Sequence, residues 1–270
     1  MGNCLFGWND RGFAMKDYQE FYDSISDNYD LMTSDIGRWE RERPVLLSLV
    51  EEFGWKEVLV AGCGTGGEVI ILAQLGLHVA GVDGSFSLLQ KAQEKAEKAN
   101  IEVDWYRDDL RVLKQPVLKD FDAVICRGNT LPHFLTIDDL KAAVTTFKRT
   151  ARSGGHLVLG WLNYRRILTA GERLVGAREF DDKVILRFYD FQQDYLVFNI
   201  LTLARGASSD PAGKRVVSWH STRLRPWTLA EVEPVLAAAG WEINYRWGGI
   251  DRAPFDVDTS HDVLVFAKSI

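Results

Sequence analysis

Residues 58–67, Val-Leu-Val-Ala-Gly-Cys-Gly-Thr-Gly-Gly, break an apolar run into alternating glycines just ahead of a helical pattern that opens at Glu68. A strand, a tight glycine turn and a helix N-terminus in that order build a nucleotide site. Gly62, Gly64 and Gly66 have no Cβ, so the backbone can take positive φ and lie against a ligand, while the helix offers unpaired N–H groups and the positive end of its dipole. Asp83 follows a second apolar run, His78–Val82, which reads as the next buried strand. An acid at that strand tip can accept both hydroxyls of a ribose. The competing role for Asp83 is to cap a helix that starts near Ser85.

The elements that must position these groups follow from periodicity. Residues 16–30 and 39–53 carry apolar side chains at helical spacing, among them Tyr18, Phe21, Tyr22, Ile25 and Tyr29, then Val45, Leu46, Leu49, Val50 and Phe53. From Glu57 the pattern alternates: strand 57–61, helix 67–75, strand 78–82, helix 85–99, strands 101–106 and 121–126, helix 137–151 and strand 155–161. Such alternation demands crossovers, hence a parallel sheet with helices on both faces. Asp138 and Asp139 belong to an N-terminal cap begun by Thr136. After Arg166 come β-rich runs at 183–189, 195–203 and 215–224, separated by turn residues that include Ser208–Gly213; these read as an antiparallel insertion. Helix 228–239 ends at Gly240, and the loop 248–254 between strands 241–247 and 261–268 is too short for a crossover helix. The last strand is therefore expected antiparallel to its neighbour.

With 46% apolar and 26% charged residues, the composition is that of a soluble globular protein. No apolar run reaches the length of a membrane span. A net charge of −6 gives no global attraction to nucleic acid or anionic lipid, so small-molecule partners are favoured. Cys4, Cys63 and Cys126 are an odd set, with Cys63 and Cys126 on core segments, and argue for the reducing cytoplasm. The opening Met1-Gly-Asn-Cys shares its start with an acylation signal, but Phe6 stands where Ser or Thr is required, and no anchor is expected.

Val58 to Gly66, with Asp83 after strand two, Asp109 after strand three and Phe121-Asp-Ala-Val-Ile-Cys126 as strand four, resembles the class I S-adenosylmethionine-dependent methyltransferases. Tyr22 to Tyr29 looks like the family's N-terminal segment that closes over the cofactor, and Trp227 to Trp241 like its last helix and sixth strand. Cys126-Arg-Gly-Asn-Thr-Leu-Pro-His133 and Leu162-Asn-Tyr-Arg-Arg-Ile-Leu168 are similar to segments of the glycine and glycine/sarcosine N-methyltransferases. The resemblance implies an α/β, Rossmann-like, seven-stranded mixed sheet in one domain over residues 1–270. A helical cover at 1–54 and an antiparallel insertion at about 170–226 would roof the acceptor pocket.

It further implies S-adenosylmethionine as cofactor, S-adenosylhomocysteine as product and no metal. The cofactor contacts it suggests are Tyr22, Tyr29, Arg38, Ala61, Gly62, Gly64, Gly66, Asp83, Gly84, Asp108, Asp109, Leu110, Arg127, Gly128 and His133. Asp109 would accept from the adenine amino group, with Asp108 the alternative, and Arg38 would approach the cofactor carboxylate. Asn129 and His133 are the candidates to orient or deprotonate the acceptor, and Asn163, Tyr164, Tyr189 and Arg223 those to line its pocket. Packing rivals these roles for Tyr22, Tyr29 and His133, and a surface ion pair for Arg38.

Two positions depart from the family. Val60 replaces an acid that helps order the glycine loop and the cofactor's amine, and Leu162 replaces the arginine that grips the glycine carboxylate. An apolar side chain cannot pair a carboxylate, and the unpaired ion would cost several kcal/mol, on the order of an effective burial penalty. Glycine itself is thus disfavoured. The expected activity is N-methylation of a small amine or amino-acid-like acceptor. The alternatives are a small-molecule O-methyltransferase, a nucleic-acid methyltransferase, a nicotinamide oxidoreductase, or a protein that binds the cofactor without catalysis.

Overall fold

A computed structural model describes residues 15–33, 37–114, 120–204 and 216–270, and only the backbone of residues 38–40, 204 and 216–217. Cys4, the turn at 208–213 and the start of the third insertion strand at Arg215 lie outside the described residues. The helices α1 (Tyr18–Thr33) and α2 (Arg38–Phe53) precede β1 (Glu57–Ala61), and then α3 (Gly67–Gln74), β2 (His78–Asp83), α4 (Phe86–Lys98), β3 (Asp104–Arg107) and β4 (Phe121–Cys126) follow. The helix α5 (Ile137–Thr150), the strand β5 (Ala151–Leu162) and the helix α6 (Tyr164–Ala170) lead into β6 (Leu174–Glu179), β7 (Lys183–Phe191), β8 (Leu196–Ala204) and β9 (Val216–Leu224). The chain closes with α7 (Leu229–Ala238), β10 (Trp241–Trp247) and β11 (Asp262–Ser269).

The strands form a seven-stranded sheet in the order β10-β11-β5-β4-β1-β2-β3 and a four-stranded sheet in the order β6-β7-β8-β9. Val58, Leu59, Val60 and Ala61 of β1 are all buried, as a central parallel strand covered on both faces requires. β1 pairs in parallel with both β2 and β4, so the strand order reverses beside it. Chain segments leaving β1 and β4 diverge there and open a crevice beyond the strand ends, the usual ligand position in such sheets. β11 runs antiparallel to both β10 and β5, as the short loop predicted.

Two elements escaped the periodicity. β6 alternates poorly, with Leu174 66% exposed at its start, because it is an edge strand of the smaller sheet. α6 is only 7 residues long, too short to establish a 3.6-residue repeat. The smaller sheet lays Ile185 and Ile200 against Phe21, Ile25 and Met32 of α1 in one apolar cluster. α1 is thereby held between the smaller sheet and the glycine turn.

Candidate functional site

Gly62, Gly64 and Gly66 all take positive φ, at 71°, 55° and 77°. Their reasons differ from simple ligand approach. A Cβ on Gly62 would fall 2.4 Å from the Thr130 hydroxyl, and one on Gly66 would fall 2.8 Å from the Trp105 ring, so both are demanded by packing inside the protein. Gly128, after β4, also has positive φ, but a Cβ there would meet nothing within 4 Å.

Asp83 ties the turn together. One carboxylate oxygen accepts from the Gly64 N–H at 2.8 Å and the other from the Ser85 N–H at 2.9 Å. Burial raises its pKa, and the Ser85 and Gly64 amides offset this only in part. The helix cap belongs to Ser85, whose Oγ accepts from the Leu88 N–H. Each Asp83 oxygen keeps a second acceptor site toward a cavity that it borders with Gly62, Thr65, Gly84, Leu110, Gly128 and His133.

α1 covers that cavity. Asp23, Asp27 and Asp30 recur at helical spacing on one stripe. Asp23 accepts from the Ser85 hydroxyl at 2.5 Å, Asp27 pairs with Lys91 at 3.0 Å, and Asp30 pairs with Lys95 at 2.6 Å. The Thr65 hydroxyl also donates to Asp30. Tyr18, Tyr22 and Tyr29 reach the cavity from the same helix. Tyr22 is hydrogen-bonded through its hydroxyl to His133 Nε2 at 2.9 Å, and burial pushes its pKa well up.

His133 ends a 3-10 turn spanning Leu131–His133. Burial lowers its pKa to about 4, so the imidazole is neutral at ordinary pH. Its buried Nδ1 has no protein partner. Asn129 takes φ 69°, an uncommon conformation for a residue with a side chain. Its amide meets the Tyr164 hydroxyl, with Nδ2 at 2.8 Å and Oδ1 at 3.0 Å, and the Leu162 N–H also points at Oδ1. Tyr164 packs edge-on against the ring of Tyr189, whose pKa burial raises to about 12. Asn129, Tyr164 and Tyr189 thus form one corner beyond Gly128.

The floor is ionic. Arg127 donates through Nε and a terminal nitrogen to one oxygen of Glu68, at 2.9 and 2.6 Å, and to Glu42 at 2.6 Å. All three side chains are about nine-tenths buried. Both contacts to Glu68 fall on Oε1, so among the described residues Oε2 has no hydrogen bond, and Glu68 lines the cavity with Val60.

The geometry shows what else the remaining expected residues do. Asn163 is 2% exposed, and its amide is spent on the backbone: it donates to the Val257 and Ser260 carbonyls and caps α6. Both of its amide hydrogens are spent in this way. Arg223 lies over the Tyr195 ring and points to Met15, in a cleft outside the cavity. Asp109 has both oxygens engaged by Arg111, which also binds Asp139; burial alone would raise its pKa, but the Arg111 bonds and charge carry it below the usual range. It borders the outer cleft with Tyr18 and His133. Asp108 accepts from the Asp109 and Lys114 N–H groups and orders the turn. Ala61 is fully buried in the core beneath the loop. The side chain of Arg38 lies outside the described residues.

The sequence reading missed Tyr18, Thr65, Glu68 and Thr130. Thr65, inside the glycine turn, and Glu68, the first acid of α3, were the two with a visible signal.

Residues 58–155 match the family described as a methyltransferase domain. Over 152 residues the chain is 32% identical to a glycine/sarcosine N-methyltransferase of Aphanothece halophytica, a stretch covering 56% of this chain and 57% of that protein. Over 153 residues it is 33% identical to the glycine N-methyltransferase of Oryctolagus cuniculus, covering 52% and 50%. The chain thus spans about half the length of these two curated relatives. Among solved structures, the CcbJ methyltransferase from Streptomyces caelestis superposes with a TM-score of 0.78 at 24% identity, over 94% of this chain and all of the other. The sugar N-methyltransferase KedS8 from Streptoalloteichus sp superposes at 0.67 with 22% identity, over 89% and 92%. At these identities the likeness is one of fold.

Proposed function

We propose, from the premise that this chain carries a methyltransferase domain on the class I, Rossmann-like fold, that it transfers a methyl group from S-adenosylmethionine to the nitrogen of a small amine. The observation that carries this reading is a cavity with Asp83 and the glycine turn on one side, α1 above and Gly128 at its edge, next in sequence to Asn129.

The residues present fit the cofactor. Asp83 keeps acceptor sites for the ribose hydroxyls, and the open side of Gly128 lets backbone approach a ligand closely. Glu68 Oε2, without a hydrogen bond among the described residues, is assigned to the methionyl ammonium in place of the acid that Val60 lacks. When bound, the cofactor supplies a methyl already activated on a sulfonium. The protein's task is alignment and exclusion of water, and well-held reactants gain about 7–11 kcal/mol of barrier that way. α1 and its tyrosines provide the cover, and Asn129, locked by Tyr164, orients the acceptor nitrogen.

His133 favours nitrogen over oxygen as acceptor. A hydroxyl needs a base, and an imidazole with a pKa near 4 is a weak one, whereas a neutral amine needs none. Calorimetric titration with S-adenosylhomocysteine, followed by methyl transfer onto pools of amines, amino acids and hydroxy compounds, tests the reading. Binding with turnover confined to nitrogen acceptors is the expected result. Absence of binding, or transfer onto hydroxyls alone, overturns it.

A further inference from the structure

Resting on the reading above, we propose that Arg187 determines acceptor specificity by receiving a carboxylate on the amine from the smaller sheet, across the pocket from Leu162. Ile185, Arg187 and Tyr189 alternate along β7 and so share its inward face. Ile185 is buried against α1, and Tyr189 reaches Tyr164 with ring centroids 6.2 Å apart. Arg187 therefore stands between the covering helix and the Asn129 corner. Its cross-strand partner is Gly176, where a Cβ would come within 3.1 Å of a terminal nitrogen of Arg187. The edge strand is thus shaped to leave room for the guanidinium.

Among the described residues, Arg187 makes no hydrogen bond or ion pair. Burial and the neighbouring Arg178 push its pKa down, and no carboxylate acts on it. Arg111, Arg127 and Arg166 are each held by carboxylates. A half-enclosed guanidinium without an acid departs from the rule that enclosed charges are paired. Its planar fork suits a two-pronged carboxylate. Arg178, beside it, gives a bond to the Leu31 carbonyl. Leu162 offers no charge from β5, so the grip comes from the opposite wall. With the carboxylate on Arg187, the amine end falls to the Asn129 corner.

The test uses protein saturated with S-adenosylhomocysteine and probes that differ only in the carboxylate: alanine against ethylamine, phenylalanine against 2-phenylethylamine, and 4-aminobutyrate against propylamine. Binding is read by calorimetry and thermal shift, and methyl transfer is measured on the same probes with S-adenosylmethionine. In at least one pair the carboxylate member is expected to bind tenfold or more tightly. Arg187→Met should abolish that preference while leaving S-adenosylhomocysteine affinity within twofold, and Arg187→Lys should recover part of it. Equal binding within every pair, no binding by any carboxylate probe, or a preference that survives Arg187→Met or Arg187→Gln overturns the proposal. Failure of the wild-type protein to bind S-adenosylhomocysteine overturns the methyl-transfer reading instead.

Discussion

On the sheet side of the cavity, the polar groups are braced by the protein itself, Asp83 by two backbone amides and Arg127 by two carboxylates, while Asp83 keeps acceptor sites for a ligand. On the opposite side, capacity is left over. Among the described residues, His133 Nδ1 is buried without a partner and Arg187 has no acid bonded to it. A wall braced by its own hydrogen bonds and ion pairs can be rigid before any ligand arrives. A wall with unspent groups is completed by whatever it binds. The costs on the second wall are real, because an uncompensated buried group persists only where the surrounding packing holds it.

The sharpest way to break this contrast is Arg127→Met. Removing the shared cation leaves Glu42 and Glu68 enclosed, and the expected loss is about 3–5 kcal/mol of folding stability in a urea melt. A loss below about 1 kcal/mol would show that the floor is not a coupled unit.

His133 should register on the other wall through pH. Its imidazole takes up a proton near pH 6.5 when unfolded but resists until about pH 4 when folded, so the unfolded state binds more protons across that window. Stability must therefore fall as the pH drops from about 6.5 toward 4, by up to about 3 kcal/mol. Comparing melts of the wild type and His133→Asn over that range should give a flatter profile for the variant.

Asp83→Ala removes the charge expected to meet the ribose, and should weaken S-adenosylhomocysteine binding by about 1.5–3 kcal/mol in calorimetry. Unchanged affinity would leave Asp83 as a brace for the turn alone. Smaller still, Tyr22→Phe deletes the bond to His133 and should cost about 0.5–1.5 kcal/mol of stability. Smallest is Lys91→Ala, which removes a pair to the exposed Asp27; a change of about 0.2–1 kcal/mol that disappears in high salt is expected.

Much of the first wall was legible in the chain. The turn at Gly62–Gly66, the acid at the tip of β2 and the alternation of strands and helices are local signals, since each depends on residues close together in sequence. The second wall was not legible in the same way. Asn163 sits beside Leu162 and Tyr164, so a place in the pocket was a natural expectation, yet its amide turns to carbonyls of the 257–260 loop. Arg223 lies on a strand adjoining the site, but the face it occupies is set by the β8–β9 register, which periodicity in one strand cannot provide.

What the amino-acid sequence by itself determined is the set of local backbone choices: where glycines admit positive φ, where both faces of a strand are buried, and hence the parallel sheet with its crevice beside β1. Only the tertiary structure decided which charges and hydroxyls find one another. Arg127 reaches Glu42 on α2 and Glu68 on α3, Tyr22 reaches His133 across the cavity, and among the described residues Arg187 reaches no acid. The reason is geometric. Periodicity and turn chemistry act between chain neighbours, whereas these pairings join side chains far apart in sequence and exist only after the crossovers and the smaller sheet have brought their elements together.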